Sequence, residues 1–327
     1  MDTAGRWRLS WRPYGFALPR QLITSQGVVA KRSGWLLRLD AADGRRCWGE
    51  APLWTPQAAD AAEAALVAMP ATGTRRQLEQ WLVQLPAPLA FALGTALVEA
   101  DGLGAADQGG WLAAPESAWL LPAGDAMLPA LEAVRQQASA RPFTVKWKVA
   151  AKADRREFAL LDALLELLPA NSRLRLDANG GWDRRTAHRW ADRLKADPRL
   201  EWLEQPLAPA DHTGLQALAV EVPVALDESL REQPALVDGP LRWLGWQVRR
   251  PAMEGDPRPL LQALQAGVPR LMLSTAFETG IGRRLLAHLA ALQAQGSTPA
   301  APGLAPGWRP AGDLFADDPQ QVWEAAR

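Results

Sequence analysis

Lys148, Asp177, Glu204, Asp227 and Arg250 are the residues of this sequence whose types and spacing could do chemistry together. Each closes a short apolar run or lies just past one, and the steps between them are 177−148 = 29, 204−177 = 27, 227−204 = 23 and 250−227 = 23 residues. One βα unit of a barrel takes about 25–30 residues, since eight units take roughly 250. Each step therefore moves one strand around a ring and brings all five side chains to the catalytic face. One charged residue at a strand end is ordinary capping. Five in register, three of them carboxylates flanked by cations, need another cause. Carboxylates gathered in a barrel mouth repel one another unless a cation neutralises them. Hard oxygen donors suit Mg²⁺ better than zinc or copper, with Mn²⁺ a substitute. Asp177, Glu204 and Asp227 are thus the candidate metal ligands, and Asn179, two residues past Asp177, points the same way and could support a ligand or a water. A solvated acidic rim paired with nearby arginines is the competing account.

The elements that must position these residues are legible as alternating runs. Short apolar strands are expected at 118–121, 143–149, 173–177, 200–203, 222–226, 243–248 and 270–274, with amphipathic helices between them, as at 155–168 and 186–195. Seven βα repeats with short connections favour a closed barrel over an open sheet. The first hundred residues differ. Strand-like residues 28–39, the turn signal Asp43-Gly44 and residues 46–50 read as an antiparallel hairpin. Helical patterns follow at 60–69, 75–85 and 89–100, which makes a small α+β domain. The expected division is an α+β capping domain at 1–100 and a barrel at 101–296, with the Pro/Gly-rich tail 297–327 able to pack back on the first domain and ending in a polar helix near 319–326.

Composition narrows the function classes. Lys+Arg and Asp+Glu balance at 36 each, so no net field draws the chain to nucleic acid or to an acidic membrane. Cys47 is the only cysteine, which rules out an intrachain disulfide and argues against a cysteine-based zinc site. Residues 1–10 carry Asp2, Arg6 and Arg8 without an apolar run, and nothing approaches the ~20 apolar residues of a bilayer span. The expected location is the cytoplasm, and monomer and homo-oligomer both stay open. The 16 tryptophans against one tyrosine are expected as core and interface filler.

Four segments carry a resemblance. Val145-Lys146-Trp147-Lys148-Val149 resembles the Lys-x-Lys strand of the enolase superfamily, and Arg175-Leu176-Asp177-Ala178-Asn179 its first metal-ligand strand. Leu203-Glu204-Gln205-Pro206 resembles the second and Leu226-Asp227-Glu228-Ser229 the third. Within that superfamily, the wording of these segments and of residues 273–279 looks most like the o-succinylbenzoate synthase family. The resemblance implies a modified (β/α)8 barrel, (β/α)7β, with an N-terminal capping domain. It implies a Mg²⁺-dependent dehydration of 2-succinyl-6-hydroxy-2,4-cyclohexadiene-1-carboxylate to 2-succinylbenzoate in menaquinone or phylloquinone synthesis. The partner it implies is a small-molecule carboxylate. A Lys or His base working beside Mg²⁺ is a property of the superfamily, not a deduction from this chain.

The resemblance gives the base to Lys148, the second lysine of the pair. An amine is a base only when neutral, and Lys146, Arg250 and the metal are cations that favour that form. The family places a lysine before proline where this chain has Arg250. Arginine stays charged and cannot serve as a second base, which disfavours racemases and epimerases that need one lysine on each face. A syn dehydration needs only one base, with the second cation holding the ring or the enediolate. Another lyase, a cycloisomerase, an N-succinylamino acid racemase or dipeptide epimerase, and a non-catalytic metal-binding barrel remain as alternatives. Arg175 is expected either to hydrogen-bond across the strand ends or to take a structural role, and backbone N–H groups at Ser274, Thr275 and the turn from Gly280 to Gly282 could reach the succinyl carboxylate. Residues 15–32 are expected to form a lid, and His188, His212 and His288 to lie on the surface.

Overall fold

The structure is a computed structural model that describes residues 5–24, 27–139, 141–239 and 241–326. Contacts divide the chain into two compact units. One comprises Met1–Pro115, Arg249–Pro269 and Leu273–Arg327, the other Glu116–Val248 and Arg270–Met272.

The first unit is built on a four-stranded sheet of β1 (Arg6–Thr24), β2 (Gly27–Ala41), β3 (Arg46–Leu53) and β4 (Thr72–Thr74), in the order β3-β2-β1-β4. The hairpin expected around Asp43-Gly44 is β2–β3, with Leu39 opposite Cys47 and Gly44 at φ 88°. β1 is an addition to the expected elements. Trp7 and Leu9 alternate with Arg6 and Arg8, a period of two that buries one face. Pro13, Gly15 and Pro19 obscure the pattern in sequence. The strand tolerates its prolines because β4 pairs with it only at Arg6–Arg8 and the Leu9 N–H donates to Ala71 O, all before Pro13. The lid expected at 15–32 is thus mostly the continuation of β1 and β2, with residues 25 and 26 outside the described residues.

Helices α1 (Pro56–Ala68), α2 (Arg75–Leu82) and α3 (Ala87–Ala100) follow, and α3 buries ten successive residues, 89–98. A Cβ on Gly49 would stand 1.9 Å from the carbonyl oxygen of Ala92, so only glycine lets β3 approach α3 this closely. The tail beyond 296 is irregular and ends in a helix at Pro319–Ala325, whose Val322 and Trp323 pack with Tyr14, Leu36 and Trp48.

The second unit carries the parallel strands β5 (Trp119–Leu121), β6 (Thr144–Lys148), β7 (Arg173–Asp177), β8 (Leu200–Glu204), β9 (Val224–Leu226), β10 (Trp246–Arg249) and β11 (Leu271–Leu273). They hydrogen-bond in sequential order from β5 to β11, the order of a barrel wall. Between them lie α4 (Met127–Ala138), α5 (Asp154–Leu167), α6 (Arg184–Leu194), α7 (His212–Glu221) and α8 (Glu228–Glu232); α9 (Pro251–Glu254), α10 (Arg258–Gln265) and α11 (Gly280–Ala294), which follows β11, belong to the first unit. All seven expected strands are present. The main shift is in β10, which begins at Trp246 because Trp243 donates its N–H to Leu236 in the preceding turn. Trp147, Trp190 and Trp202 are fully buried, as filler rings should be. Among the described residues no helix is long and apolar enough to cross a membrane.

One irregularity matters for the site. Leu174 pairs with Leu200 but Arg175 pairs with Trp202, so Glu201 is an extra residue on β8, a β-bulge.

Candidate active site

Strand register sets the site. Lys148 is the cross-strand partner of Asp177, and Asp177 of Glu204, so three of the expected residues stand level on consecutive strands. Glu204 pairs with Ala225, two residues before Asp227, which follows β9 and caps α8. The chain leaves these strands abruptly: Ala150, Asn179 and Gln205 have φ of 61°, 46° and 38°. The loop after Lys148 is fastened by the buried carboxylate of Glu157, which accepts the N–H groups of Ala150, Ala151 and Lys152 at 2.9–3.0 Å.

Lys146 Nζ bridges Asp177 Oδ2 at 2.9 Å and Glu204 Oε1 at 2.5 Å. Lys148 Nζ donates to Asn179 Oδ1 at 3.2 Å, and Asn179 Nδ2 reaches Glu228 Oε1 at 3.3 Å. Arg231 approaches Asp227 at 3.6 Å and Glu228 at 3.3 Å. Burial is the largest cause pushing the Glu204 carboxyl above its ordinary range; Asp177 and Asp227 add to it and Lys146 opposes it. Glu228 is pushed up to about 7, first by burial and then by Asp227 and Asp177. Acidic groups are therefore crowded enough to repel.

As placed, no three His, Cys, Asp or Glu side chains among the described residues enclose an ion. The donor set nonetheless suits one. Its carboxylate oxygens come from three adjacent strand ends, and the ammonium of Lys146 between Asp177 and Glu204 shows that this position favours positive charge.

Gln205, given no role above, ties β8 to the turn that follows β9. Its Oε1 accepts the N–H of Asp227 at 3.2 Å and of Ser229 at 3.0 Å, while Nε2 donates to Leu207 O at 3.0 Å and Ser229 Oγ at 2.7 Å. Replacing it by methionine, of similar length, should lower unfolding free energy by about 2–4 kcal/mol in denaturant titration, because buried partners are left unpaired. Glu228 and Arg231 are likewise additions. The signal for Glu228 was its place beside Asp227; nothing in the sequence marks Gln205 as bonded four ways.

Other expectations need correction. Arg175 does not reach across the strand ends: it is fully buried lower in β7, with Nε on Glu201 at 2.6 Å and its guanidinium 4.0 Å from the Trp202 ring. In the first unit, Ser274 N donates to Arg249 O and Thr275 N to Gly303 O, so neither amide is open to a substrate carboxylate. A Cβ on Gly280 would lie 1.9 Å from Ala316 O, so close packing also requires glycine there, apart from any part its N–H plays. Arg250 precedes α9; its N–H bonds Glu254 at 2.6 Å and its Nη1 bonds Thr275 O at 2.8 Å. His288 is buried and accepts the Leu112 N–H through Nδ1 at 3.2 Å.

The sequential strands, with charged groups at their carboxyl ends, are the framework of the enolase superfamily. The family profile described as "Enolase C-terminal domain-like" matches residues 130–237. The o-succinylbenzoate synthase of Thermosynechococcus vestitus is 37% identical over 296 residues, covering 87% of this chain and 88% of the relative. That of Edwardsiella ictaluri is 30% identical over 304 residues, covering 87% and 84%. The solved o-succinylbenzoate synthase of Thermosynechococcus elongatus BP-1, which has Mg in its active site, superposes with a TM-score of 0.80 at 32% identity, over 97% of this chain and 99% of that one. The L-Ala-D/L-Glu epimerase of Bacillus subtilis, at 20% identity, a TM-score of 0.73 and coverage of 94% and 91%, shares the fold. The chain belongs to the o-succinylbenzoate synthase family.

Proposed function

We propose that this chain dehydrates 2-succinyl-6-hydroxy-2,4-cyclohexadiene-1-carboxylate to 2-succinylbenzoate, a step of menaquinone or phylloquinone synthesis, in the cytoplasm. The observation that carries the reading is the level placement of Lys148, Asp177 and Glu204 on consecutive strands. Asp177, Glu204 and Asp227 are the residues that would hold Mg²⁺. The ion, when bound, supplies the positive charge that offsets the substrate carboxylate and the negative charge growing on it. Lys148 takes the proton from the carbon bearing that carboxylate, and the electrons of the broken C–H bond pass into the carboxylate. They then return to the ring as the C–O bond breaks. The hydroxyl departs as water with the proton that Lys148 gives back, and the ring becomes aromatic. One base on one face suffices. Arg250 acts as a fixed cation beside Thr275, its guanidinium always charged.

The direct test is an assay of this turnover with and without Mg²⁺, run beside racemisation of N-succinyl amino acids and epimerisation of dipeptides. Mg²⁺-dependent aromatisation is expected; epimerisation without it would overturn the reading. Arg250→Lys should stay within about tenfold of wild-type turnover in steady-state kinetics, since charge is retained. Complete loss would show a site rebuilt around guanidinium.

A further inference from the structure

Trp202 lies two residues before Glu204 on β8 and therefore faces the same way. Its ring is held on two sides, by the Arg175 guanidinium at 4.0 Å and by Trp246 at 4.7 Å between centroids. Arg175 is itself anchored on Glu201, the extra residue of the bulge, and its two terminal nitrogens have no hydrogen-bond partner, which leaves the Trp202 face as what they meet. The indole Nε1–H donates to Glu204 Oε2 at 3.4 Å, while Lys146 holds Oε1.

We infer that Trp202 is a positioning residue for the metal site: the Arg175–Trp202–Trp246 stack fixes an indole N–H against Glu204 and so fixes the orientation of a metal-ligand carboxylate. The inference rests on the reading of Glu204 as a ligand. A glutamate carries three side-chain torsions, and a carboxylate free to turn must lose that freedom when an ion binds. A donor on the oxygen away from Lys146 removes the freedom in advance. Partners of this kind, which orient ligands without touching the ion, typically carry about 10–100-fold in metal affinity.

The test is Trp202→Phe, which keeps an aromatic ring in the stack and removes only the N–H. With Mg²⁺ alone, calorimetry should show a dissociation constant raised about tenfold. The thermal midpoint without metal should change little, and turnover should recover as Mg²⁺ is raised to saturation. A purely structural role would lower the midpoint and leave the dissociation constant unchanged, and that result would overturn the inference. Glu204→Gln, measured in parallel, separates the two levels: if it binds Mg²⁺ like the wild type, the ligand reading itself is wrong. Should the phenylalanine variant not fold, ¹⁵N-tryptophan-labelled wild-type protein gives a second readout. The Trp202 indole N–H resonance, assigned by its contacts to Trp246, should shift as Mg²⁺ is added; an invariant resonance would equally overturn the inference.

Discussion

Lys148→Ala should lower turnover by about 10³-fold or more while leaving Mg²⁺ affinity near that of the wild type, because a positioned general base contributes about 10²–10⁴-fold. The separation of the two effects follows from the register. Lys148 ends β6, level with Asp177, but its amine is drawn to Asn179 Oδ1 at 3.2 Å, whereas Lys146 is the amine that bridges Asp177 and Glu204. Shortening Lys148 leaves the Lys146 bridge between Asp177 and Glu204 in place. The buried Glu157 clamp on Ala150, Ala151 and Lys152 keeps the strand end in place in the variant. Single-turnover kinetics combined with calorimetric Mg²⁺ titration checks both halves. Retained turnover would move the base elsewhere.

Glu204→Gln should weaken Mg²⁺ binding by about 100-fold or more, since a charged oxygen ligand is exchanged for a neutral one. The fold should survive the change. Glu204 is fully buried, and burial is the first cause raising its pKa, so its charge costs the folded state rather than supporting it. The amide keeps an oxygen acceptor for Lys146, while its NH₂ then faces the Trp202 N–H that had donated to Oε2. A wild-type protein held at about 100 times its dissociation constant gains roughly 2.7 kcal/mol from a bound ion. That gain is read as a rise in the thermal midpoint when Mg²⁺ is added, and in the variant it should fall to about 0.4 kcal/mol or less. An undiminished Mg²⁺-induced rise would remove Glu204 from the ligand set.

Much of this arrangement is legible in the chain because barrels impose a count. Strands β5 to β11 announce themselves as apolar runs, and the residues closing β6, β7 and β8 are Lys148, Asp177 and Glu204. What escapes is whatever depends on contacts far apart in sequence. Arg6–Thr24 hides as a strand because its prolines speak for a loop, and they are acceptable because its pairing with β4 ends before Pro13. Ser274 and Thr275 look like free donors until Arg249 and Gly303 are seen to accept from them. Arg175 resembles a strand-end residue in its motif, yet it is buried against Glu201, because the bulge on β8 brings that acid toward it.

The doubled residue on β8 reaches beyond Arg175. Side chains on a strand point alternately to the two faces, so parity decides which of them look inward. Counted evenly from the Leu174–Leu200 pair, Asp177 would meet Leu203, and Glu204 would point out of phase with it. The insertion at Glu201 restores the phase. Removing that single position would exchange the inner and outer faces of everything downstream on β8, so the count of residues there, and not the side chain that fills the extra place, keeps Glu204 on the face of Asp177.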